Sequence, residues 1–519
     1  MPALLLALLA AAVGPSTRPR LVVVITVDQL RPDYLERYQS QLIGGLGLLL
    51  REGAVFTDAY QDHAVTATAP GQATVLSGRW PAHTGIIRNA AGVEDSSAPL
   101  IDVAGPGASP ARFRGTAFFD WLVAAEPGAR ALSVSRKDRG AILPVGRAKQ
   151  QVYWYQSGVF TTSRYYADSL PAWVRGFNAQ RIPFKAVGAT WLPLLPAADY
   201  PEPDSEPYEN GGHDFTFPHH LPADGAQAAE ALAGVPTMDS LTLAFALAGV
   251  RALELGSRGA TDLLAVSLSA TDAVGHAFGP ESKEIHDQVL RVDRYLSWFL
   301  GQLVIRYGGG NVLVVLTADH GVTPFPEWSR AHGHPGARRV AVDSIVRDVN
   351  AKLDQRAAPA EWLVFDTGML FVQDGAKLAA AGLDVDSVIR DVAARLRAMP
   401  GVARVDRLAD LAGSHTAPDR VTRRWQHEIP PDAGVVLAVT LRPYCVWSSG
   451  DVPIAMHGQP SDLDAHVPLI LWGKGIRAGM HERRVSAVDV APTLARLLGL
   501  TPAEPVDGRV LVEAVESRE

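Results

Sequence analysis

Three aspartates and three histidines follow predicted strands or open predicted helices. They are Asp28 in TVDQLRPDY, Asp272 and His276 in SATDAVGHAFGP, Asp319 and His320 in TADHGV, and His457 in MHGQP. Taken singly, each is an ordinary cap or turn residue. As a set they combine the carboxylate and imidazole groups that bind Zn²⁺. Two metal ions about 3.5–4 Å apart need roughly three protein ligands each, so this set predicts a two-zinc site.

Two threonines precede a predicted helix start. Thr66 and Thr68 lie in HAVTATAPGQATVLSG and precede Ala69-Pro70-Gly71, where the proline suits the first turn of a helix. The N–H groups and the positive dipole of such a helix end attract anions. A threonine hydroxyl at this position is a candidate nucleophile, because a metal can deprotonate it without a separate base. The alternative is that Thr68 only caps the helix.

Four apolar runs are typical of strands that are buried on both faces of a parallel sheet. They cover Leu21–Val27, Leu263–Leu268, Val312–Thr317 and Pro468–Trp472. Amphipathic helical patterns lie between them, and the longest, Glu281–Tyr307, is closed by three glycines. This alternation predicts an α/β fold with a doubly wound, mostly parallel sheet sandwiched by helices. Such sheets carry their sites at the carboxyl ends of the strands, where the six candidate ligands are expected to converge.

Two regions break the alternation of strands and helices. Residues 151–225 are rich in aromatic residues, proline and glycine, and we interpret them as an insertion that caps the site. Residues 340–441 read as helix, strand, helix, strand, strand, which predicts a small inserted α+β subdomain. The chain from residue 19 to residue 519 is otherwise expected to form one catalytic domain.

The N-terminal segment predicts export. Ala3–Val13 is an unbroken apolar run of 11 residues, followed by Gly14 and Pro15. This run is too short to span a bilayer but suits the core of a signal peptide, so we expect residues 1–18 to be a signal peptide and linker. The mature protein would then be periplasmic or secreted, without a transmembrane segment. No Lys or Arg precedes the run, which leaves a buried first helix or an uncleaved anchor as alternatives.

Composition excludes few functions. The 519 residues carry a formal net charge of −7, with 48 Lys and Arg against 55 Asp and Glu. No basic stripe or block stands out, which disfavours a nucleic-acid-binding surface. A single cysteine, Cys445, rules out an intrachain disulfide and is expected to be a small buried apolar residue. We expect a monomer or a weak oligomer.

The order and spacing of these motifs resemble the alkaline phosphatase superfamily. The shared boxes are strand–Asp28, T-x-T-x-P-G, L-S-G-x-x-P-x-x-T-G-I-I-x-N, T-D-x-x-G-H, T-A-D-H-G and H-G-x-P…D-x-H-V-P-L-I. The chain is most similar to the bacterial alkaline phosphatases that use a threonine nucleophile and carry a lysine–arginine pair. The resemblance extends from about Leu21 to VSAVDVAPTLARLLGL and implies the fold of the type I phosphodiesterases and nucleotide pyrophosphatases.

The resemblance implies a role for each candidate residue. Thr68, rather than Thr66, would be the nucleophile and a ligand of the zinc that activates it. Asp28, Asp319 and His320 would hold that zinc. Asp272, His276 and His457 would hold a second zinc beside the leaving group. The implied activity is hydrolysis of phosphate monoesters, which are small-molecule substrates, in two steps through a phosphothreonine.

Three further residues would bind the phosphoryl group. The resemblance implies that Asn89 donates to a phosphoryl oxygen, and that Lys137 and Arg139, in SVSRKDRGAI, grip the group and its attacking water. From the residues alone, K-D-R is an ordinary solvated turn. A phosphodiesterase or nucleotide pyrophosphatase on the same scaffold would not need this pair, because a diester has one charged oxygen fewer. A non-catalytic phosphate or metal scavenger would not need Thr68.

The sequence departs from its relatives at two places. Gln72 stands where they usually have histidine, and Ala90-Ala91 stand where they often have an acidic–aromatic pair. Neither place is a metal ligand, so the predicted activity is unchanged, although contacts near Asn89 are expected to differ. His466, in DAHVPLI, is the rival of His457 for the sixth ligand, and we prefer His457 because the family's ligand precedes glycine.

Overall fold

The computed structural model describes residues 18–356, 359–411, 419–448 and 454–516. The predicted signal peptide and linker, residues 1–18, lies outside these residues except for Arg18. Within the described ranges, no single helix is both long and apolar enough to cross a membrane. The segments Gly225–Gly234 and Thr237–Ala252 reach that length and composition only together, and they meet at a bend of 92°.

A nine-stranded sheet forms the centre of the molecule. In spatial order its strands are Gly479–His481, Ala54–Phe56, Leu469–Gly473, Val312–Thr317, Leu21–Val27, Asp262–Leu268, Ala131–Ser135, Gln151–Gln156 and Val159–Thr161. Most neighbouring strands are parallel, and the antiparallel pairs lie toward the two edges. The prediction of a doubly wound, mostly parallel α/β sheet is confirmed.

Each face of this sheet is covered by helices. The central strand Leu21–Val27 is buried throughout, and its side chains alternate between two hydrophobic cores, as the pleat of a strand requires. Val23 and Ile25 pack in one core with Lys283–Tyr307, while Val22 and Val24 pack in the other with Thr68–Ser77. The α-helices are Pro32–Arg37, Gly45–Glu52, Thr68–Ser77, Pro81–Thr84, Phe118–Ala125, Asp138–Ile142, Ala172–Asn178, Gly225–Ala231, Thr237–Ala252, Ala270–Phe278, Lys283–Tyr307, Pro326–Ala331, Asp343–Asp354, Gly375–Ala380, Val385–Ala398, Leu408–Leu411, Arg420–Glu428, Asp462–Ala465 and Val490–Leu498.

The strand Leu469–Gly473 is antiparallel to its neighbour, whereas the sequence pattern indicated a parallel strand. Leu469–Gly473 pairs antiparallel with Val312–Thr317, although its apolar run is of the kind found in parallel sheets. Its N-terminal end therefore lies at the edge where the parallel strands have their carboxyl ends. For this reason the loop that precedes the strand, with His457, reaches that edge, and the residues that follow the strand do not.

The aromatic-rich region begins inside the main sheet. Gln151–Gln156 and Val159–Thr161 are its edge strands, so only the residues after Thr161 lie outside it. The aromatic side chains here are ordinary core residues, since Tyr153 and Trp154 point into opposite hydrophobic cores. The later part packs on the helix Ala270–Phe278, where the ring centroids of His219 and Phe278 are 5.0 Å apart.

Residues 340–441 include a second sheet with its own core. It is antiparallel and has the order Leu363–Asp366, Met369–Val372, Val435–Leu441, Val402–Arg407. The helices Asp343–Asp354 and Val385–Ala398 pack on it. We call these residues the inserted subdomain. The chain enters and leaves it side by side, because Arg339–Val340 pairs with Val446–Trp447. Cys445 is buried at this junction.

Candidate active site

The register of the main sheet brings Asp28 and Asp319 together. Thr26 pairs with Thr317 on the neighbouring parallel strand, so the residues two positions further on emerge at the same edge. His320 follows directly, and its Nε2 lies 3.3 Å from Oδ1 of Asp28 and 3.9 Å from Oδ1 of Asp319. One ligand atom of each of these three residues lies within 4.8 Å of the others. We call them the Asp28 group.

A second set of three meets beside the first. Asp272 and His276 are one turn apart on the helix Ala270–Phe278 and therefore share a face. Nε2 of His276 lies 3.2 Å from Oδ1 of Asp272, and Nε2 of His457 lies 3.7 Å from the same oxygen. These residues form the Asp272 group, again with ligand atoms within 4.8 Å of one another. The two groups adjoin, since the rings of His320 and His457 stack at 3.7 Å.

Backbone carbonyls orient all three imidazoles in the same way. The Nδ1 atoms of His276, His320 and His457 lie 2.6, 2.9 and 2.7 Å from the carbonyl oxygens of Ala455, Gly321 and Thr66. Because a carbonyl only accepts, each Nδ1 carries a hydrogen and donates it. In the neutral ring, Nε2 then keeps a lone pair that faces the carboxylates. This is the arrangement that a metal-binding histidine takes.

A lysine ammonium lies between the two groups. Nζ of Lys137 is 2.5 Å from Oδ2 of Asp28 and 2.7 Å from Oδ2 of Asp272, and it donates to Oγ1 of Thr68 at 3.1 Å. Lys137 reaches this position because it follows the strand Ala131–Ser135 at the carboxyl edge of the sheet. One ammonium lies among three buried carboxylates, so the site would carry excess negative charge unless protons or metal ions bind there.

The protonation of the site reflects this imbalance. Burial and the charge of Asp28 raise the pKa of Asp319 to about 7. Burial would also raise the pKa of Asp272, but Lys137 and His276 hold it well below its ordinary value. Burial disfavours the charged form of His320, yet Asp319 and Asp28 raise its pKa to about 9. A site of this charge favours divalent cations.

The donor atoms of the Asp28 group fit a metal. Oδ1 of Asp28 and Nε2 of His320 are buried 3.3 Å apart without a hydrogen bond of good geometry, and Oδ2 of Asp28 has only the ammonium of Lys137 beside it among the described residues. Such atoms are costly unless something binds them. Two aspartates with one histidine, and one aspartate with two histidines, are nitrogen and oxygen sets that suit Zn²⁺. The described residues thus include two groups that could each hold a metal ion.

Thr68 is the first residue of the helix Thr68–Ser77. The N-cap is Ala67, and no side chain caps this helix end, so Thr68 does not act as the cap that the alternative interpretation assigned to it. Its buried hydroxyl faces Lys137. Thr66 has a different environment, because its Oγ1 donates to the carbonyl of Gln459 at 3.0 Å and its own carbonyl binds His457.

The other predicted residues differ in what their side chains contact. Asn89 accepts from the backbone N–H of Ala69 at 2.8 Å, which fixes its side chain at the start of the Thr68 helix. Arg139 makes no ion pair with either group: among the described residues its guanidinium pairs only with Asp138, at 3.5 Å. His466 points away from both groups, with Nε2 2.9 Å from the carbonyl of Thr57. The structure therefore brings together Lys137 and His457 but not Arg139 or His466.

Three buried supporting residues were not assigned a role from the sequence. Gln29 donates to Oδ1 of Asp272 at 3.0 Å, and Gln72 donates to Oδ2 of Asp319 at 3.2 Å. Asp464 accepts from Thr323 at 2.7 Å and from the backbone of Gln459 at 3.0 Å, which ties the two histidine loops together. Sequence signals were available, because Asp464 belongs to the quoted D-x-H-V-P-L-I box and Gln72 is a departure from the family pattern.

Comparisons with known proteins give a consistent result. Residues 22–399 match the family described as type I phosphodiesterase / nucleotide pyrophosphatase. The chain is 32% identical to alkaline phosphatase PhoV of Synechococcus elongatus over 97% of its length and 95% of that protein. It is 30% identical to alkaline phosphatase PafA of Elizabethkingia meningoseptica over 96% of its length and 95% of that protein.

Solved structures agree with these relatives. The crystal structure of wild-type PafA matches with a TM-score of 0.88 and 29% identity, covering 97% of this chain and 100% of that one. Murine ectonucleotide pyrophosphatase / phosphodiesterase 5 matches with a TM-score of 0.55 and 15% identity, covering 94% of this chain and 97% of that one. The second likeness concerns the fold alone.

Proposed function

Because the chain belongs to the type I phosphodiesterase and nucleotide pyrophosphatase family of the alkaline phosphatase superfamily, we propose that it is an alkaline phosphatase that hydrolyses phosphate monoesters. The observation that carries the proposal is the position of the Thr68 hydroxyl, at a helix start and 3.1 Å from the ammonium of Lys137, beside two groups of metal ligands. A phosphate or metal scavenger would not need such a hydroxyl.

We propose that the two groups hold two Zn²⁺ ions. The Asp28 group, with Thr68, would hold one ion, and the Asp272 group would hold the other. When bound, such ions lower the pKa of hydroxyl ligands and neutralise charge on phosphoryl and leaving oxygens. Burial of five of the six residues, all but the partly exposed His276, supports this assignment, as does the tautomer that the backbone imposes on the three histidines.

Thr68 is the proposed nucleophile. Its oxygen attacks phosphorus in line, the P–O bond to the alcohol breaks, and the phosphoryl group moves to Thr68. Water then attacks the phosphothreonine, which releases phosphate and returns the hydroxyl. Lys137 and Asn89 would bind phosphoryl oxygens during both steps, and Arg139 would turn from Asp138 to bind two more as a planar fork. Positioning and charge neutralisation supply most of the catalysis in such reactions.

The lysine–arginine pair distinguishes this function from phosphodiester hydrolysis. A diester replaces one charged oxygen with an esterified one, so some of the contacts that Lys137 and Arg139 make with a monoester are lost. Removing one preorganised donor costs about 10²–10³ in rate. We therefore expect Lys137→Ala with Arg139→Ala to lower kcat/KM for monoesters by at least about 100-fold and for diesters far less.

The test is a panel of phosphate monoesters, phosphate diesters and sulfate esters with the wild type and this double variant. Saturating zinc is needed, because Lys137 also touches Asp28 and Asp272, and metal content is measured in each sample. Wild-type activity should be highest on monoesters. An equal loss on monoesters and diesters would make the pair structural and remove the main argument for a monoesterase.

We also propose that residues 1–18 direct export and are removed. The support is the apolar run Ala3–Val13 and the Ala10-Ala11-Ala12 sequence, which suits cleavage. N-terminal sequencing of the protein from the producing cells tests this, and an intact Met1 in the active protein would contradict it.

A further inference from the structure

A cavity of about 390 Å³ opens beside the Asp272 group. Its lining includes His276, His457 and Asn89, and also Phe365 and Asp366 of the inserted subdomain and Trp447 from the segment that follows the subdomain. This volume lies in the range of small-molecule sites. On the proposed function, on which this inference rests, the Asp272 group faces the leaving oxygen. The cavity therefore lies where the organic part of the ester must go.

Part of the cavity wall is aromatic. The rings of Phe365 and Trp447 meet edge to face, with centroids 5.1 Å apart and planes inclined at 72°. Val340 and Val342 add apolar surface. Aromatic edges and faces prefer other aromatic rings over small polar groups. This wall thus favours a planar ring over a short polar alcohol.

The same wall offers a hydrogen-bond donor. Trp447 is 7% exposed, and its Nε1 has no hydrogen-bond partner among the described residues. A buried indole N–H normally finds an acceptor. Nε1 is itself buried, so an acceptor atom on a bound ring would supply this partner after a small movement of the indole toward the cavity.

The charge of the cavity lining also limits which leaving groups can bind. The lining includes two carboxylates, Asp343 and Asp366, and no Lys or Arg among the described residues. Asp366 is partly compensated by Arg88, at 3.3 Å. A leaving group with its own negative charge would be repelled, so an uncharged one is favoured.

The cavity wall is fixed to the metal-ligand loop. Thr367 is at the tip of the hairpin between Leu363–Asp366 and Met369–Val372 and packs on Gly458. A Cβ added to Gly458 would lie only 2.6 Å from the methyl group of Thr367. Gly458 follows His457 directly. The distance between the aromatic wall and the Asp272 group is therefore set by a close contact.

We propose that this cavity binds the leaving group and selects phosphate monoesters of alcohols that carry an uncharged heteroaromatic ring. The ring packs against Phe365 and Trp447, and its acceptor atom takes the N–H of Trp447. The inserted subdomain and the segment directly after it thereby determine substrate preference, while the residues that bind phosphate stay the same for all monoesters.

Three substrates separate the two contacts. Ethyl phosphate, 2-phenylethyl phosphate and 2-(3-pyridyl)ethyl phosphate all release primary alkoxides and differ in the ring and in its acceptor atom. With the zinc-loaded full chain above pH 7, where the pyridine is uncharged, we expect kcat/KM to rise about tenfold or more for the phenyl ring, the scale of ring stacking. The pyridine nitrogen should add about three- to tenfold, the scale of one hydrogen bond.

Two variants test which side chain is responsible for each increase in kcat/KM. Phe365→Leu should remove most of the ring gain, and Trp447→Phe should remove the acceptor gain and keep most of the ring gain. Both should leave ethyl phosphate unchanged, which also reports that the fold is intact. Trp298→Phe is the matched control, because Trp298 is exposed on the helix Lys283–Tyr307.

Equal kcat/KM for the three substrates in the wild type would overturn the proposal without reference to any variant. A ring preference that both variants preserve would place the binding site elsewhere and also overturn it. No hydrolysis of any of the three would instead contradict the proposed monoesterase function.

Discussion

The two threonines of the T-x-T motif differ in what their oxygens do. Thr66 is part of the scaffold, because both its hydroxyl and its carbonyl are used in bonds to the loop that carries His457. Thr68 has no such bond and faces only the ammonium of Lys137 among the described residues. A hydroxyl that is buried beside a cation and not needed for structure is suited to react.

We predict that Thr68→Ala abolishes nearly all monoester turnover, whereas Thr66→Ala keeps most of it. Thr68→Ser should retain partial activity, since a primary hydroxyl can still be deprotonated and attack. Turnover with zinc supplied and mapping of the trapped phosphate check this. Phosphate found on Thr66, or on neither threonine, would show that Thr68 is not the nucleophile.

Residue types and order predict the candidate ligands, but not the contacts that hold them. Asp28, Asp272 and Asp319 stand out because each follows a strand or opens a helix. The roles of Gln29 and Gln72 depend on which oxygen each amide reaches across the sheet, and a sequence does not encode such distances locally. Arg139 is the opposite case, since its motif predicts a phosphate contact while its side chain pairs with Asp138.

At the scale of elements, two glycines let helices approach the strand ends. A Cβ on Gly71 would collide with the carbonyl oxygen of Asp319, and one on Gly275 would collide with the side-chain oxygen of Gln29. Neither glycine has a positive φ, so close approach rather than backbone conformation requires them. Gly71 and Gly275 therefore set the distance from the sheet to Thr68 and Asp272, which lie on the same two helices.

We predict that Gly71→Ala lowers kcat/KM at least tenfold and lowers the melting temperature. Alanine favours a helix by about 1 kcal/mol over glycine, so any loss must come from the displaced helix. Activity and thermal unfolding measure the two effects. Gly301→Ala is the matched control, because no atom lies within 4 Å of a Cβ there, and it should be neutral or stabilising. Equal behaviour of the two variants would refute the close-packing argument.

Strand and helix positions followed from the sequence where burial is uniform. Leu21–Val27 and Val312–Thr317 have the predicted bounds, and the long helix begins two residues later than predicted, at Lys283. Strand direction was wrong for Leu469–Gly473, because a buried run has no polarity of its own. The aromatic content of residues 151–225 led us to expect an insertion outside the sheet. The first of these residues are instead edge strands, whose side chains alternate between the two hydrophobic cores.

At the scale of the molecule, the inserted subdomain and the main sheet share the loop that leads to Thr68. Arg424, on a subdomain helix, bonds Asp62 at 3.0 Å, and Glu428 of the same helix lies 3.0 Å from Nδ1 of His63. Glu428 also accepts from the backbone of Val65 at 2.8 Å. These buried contacts hold the loop that leads to the nucleophile, so the subdomain is a part of the site's framework.

The molecule as a whole should depend on metal for stability, because three carboxylates converge in its centre against one ammonium. We predict that the protein binds about two zinc ions, and that a chelator abolishes activity and lowers the melting temperature. Metal that binds only the folded chain adds its binding free energy to folding. Metal analysis and thermal unfolding with and without zinc measure this.

Two histidines of one loop make the prediction specific to the proposed ligands. His457→Gln should reduce the bound zinc from about two ions to about one and remove most activity, since it belongs to the Asp272 group. His466→Gln should leave about two ions bound, because His466 bonds the carbonyl of Thr57 instead. If His466→Gln lost a metal ion and His457→Gln did not, the assignment of the sixth ligand would be reversed. Full activity in a rigorously metal-free preparation would remove the metal mechanism altogether.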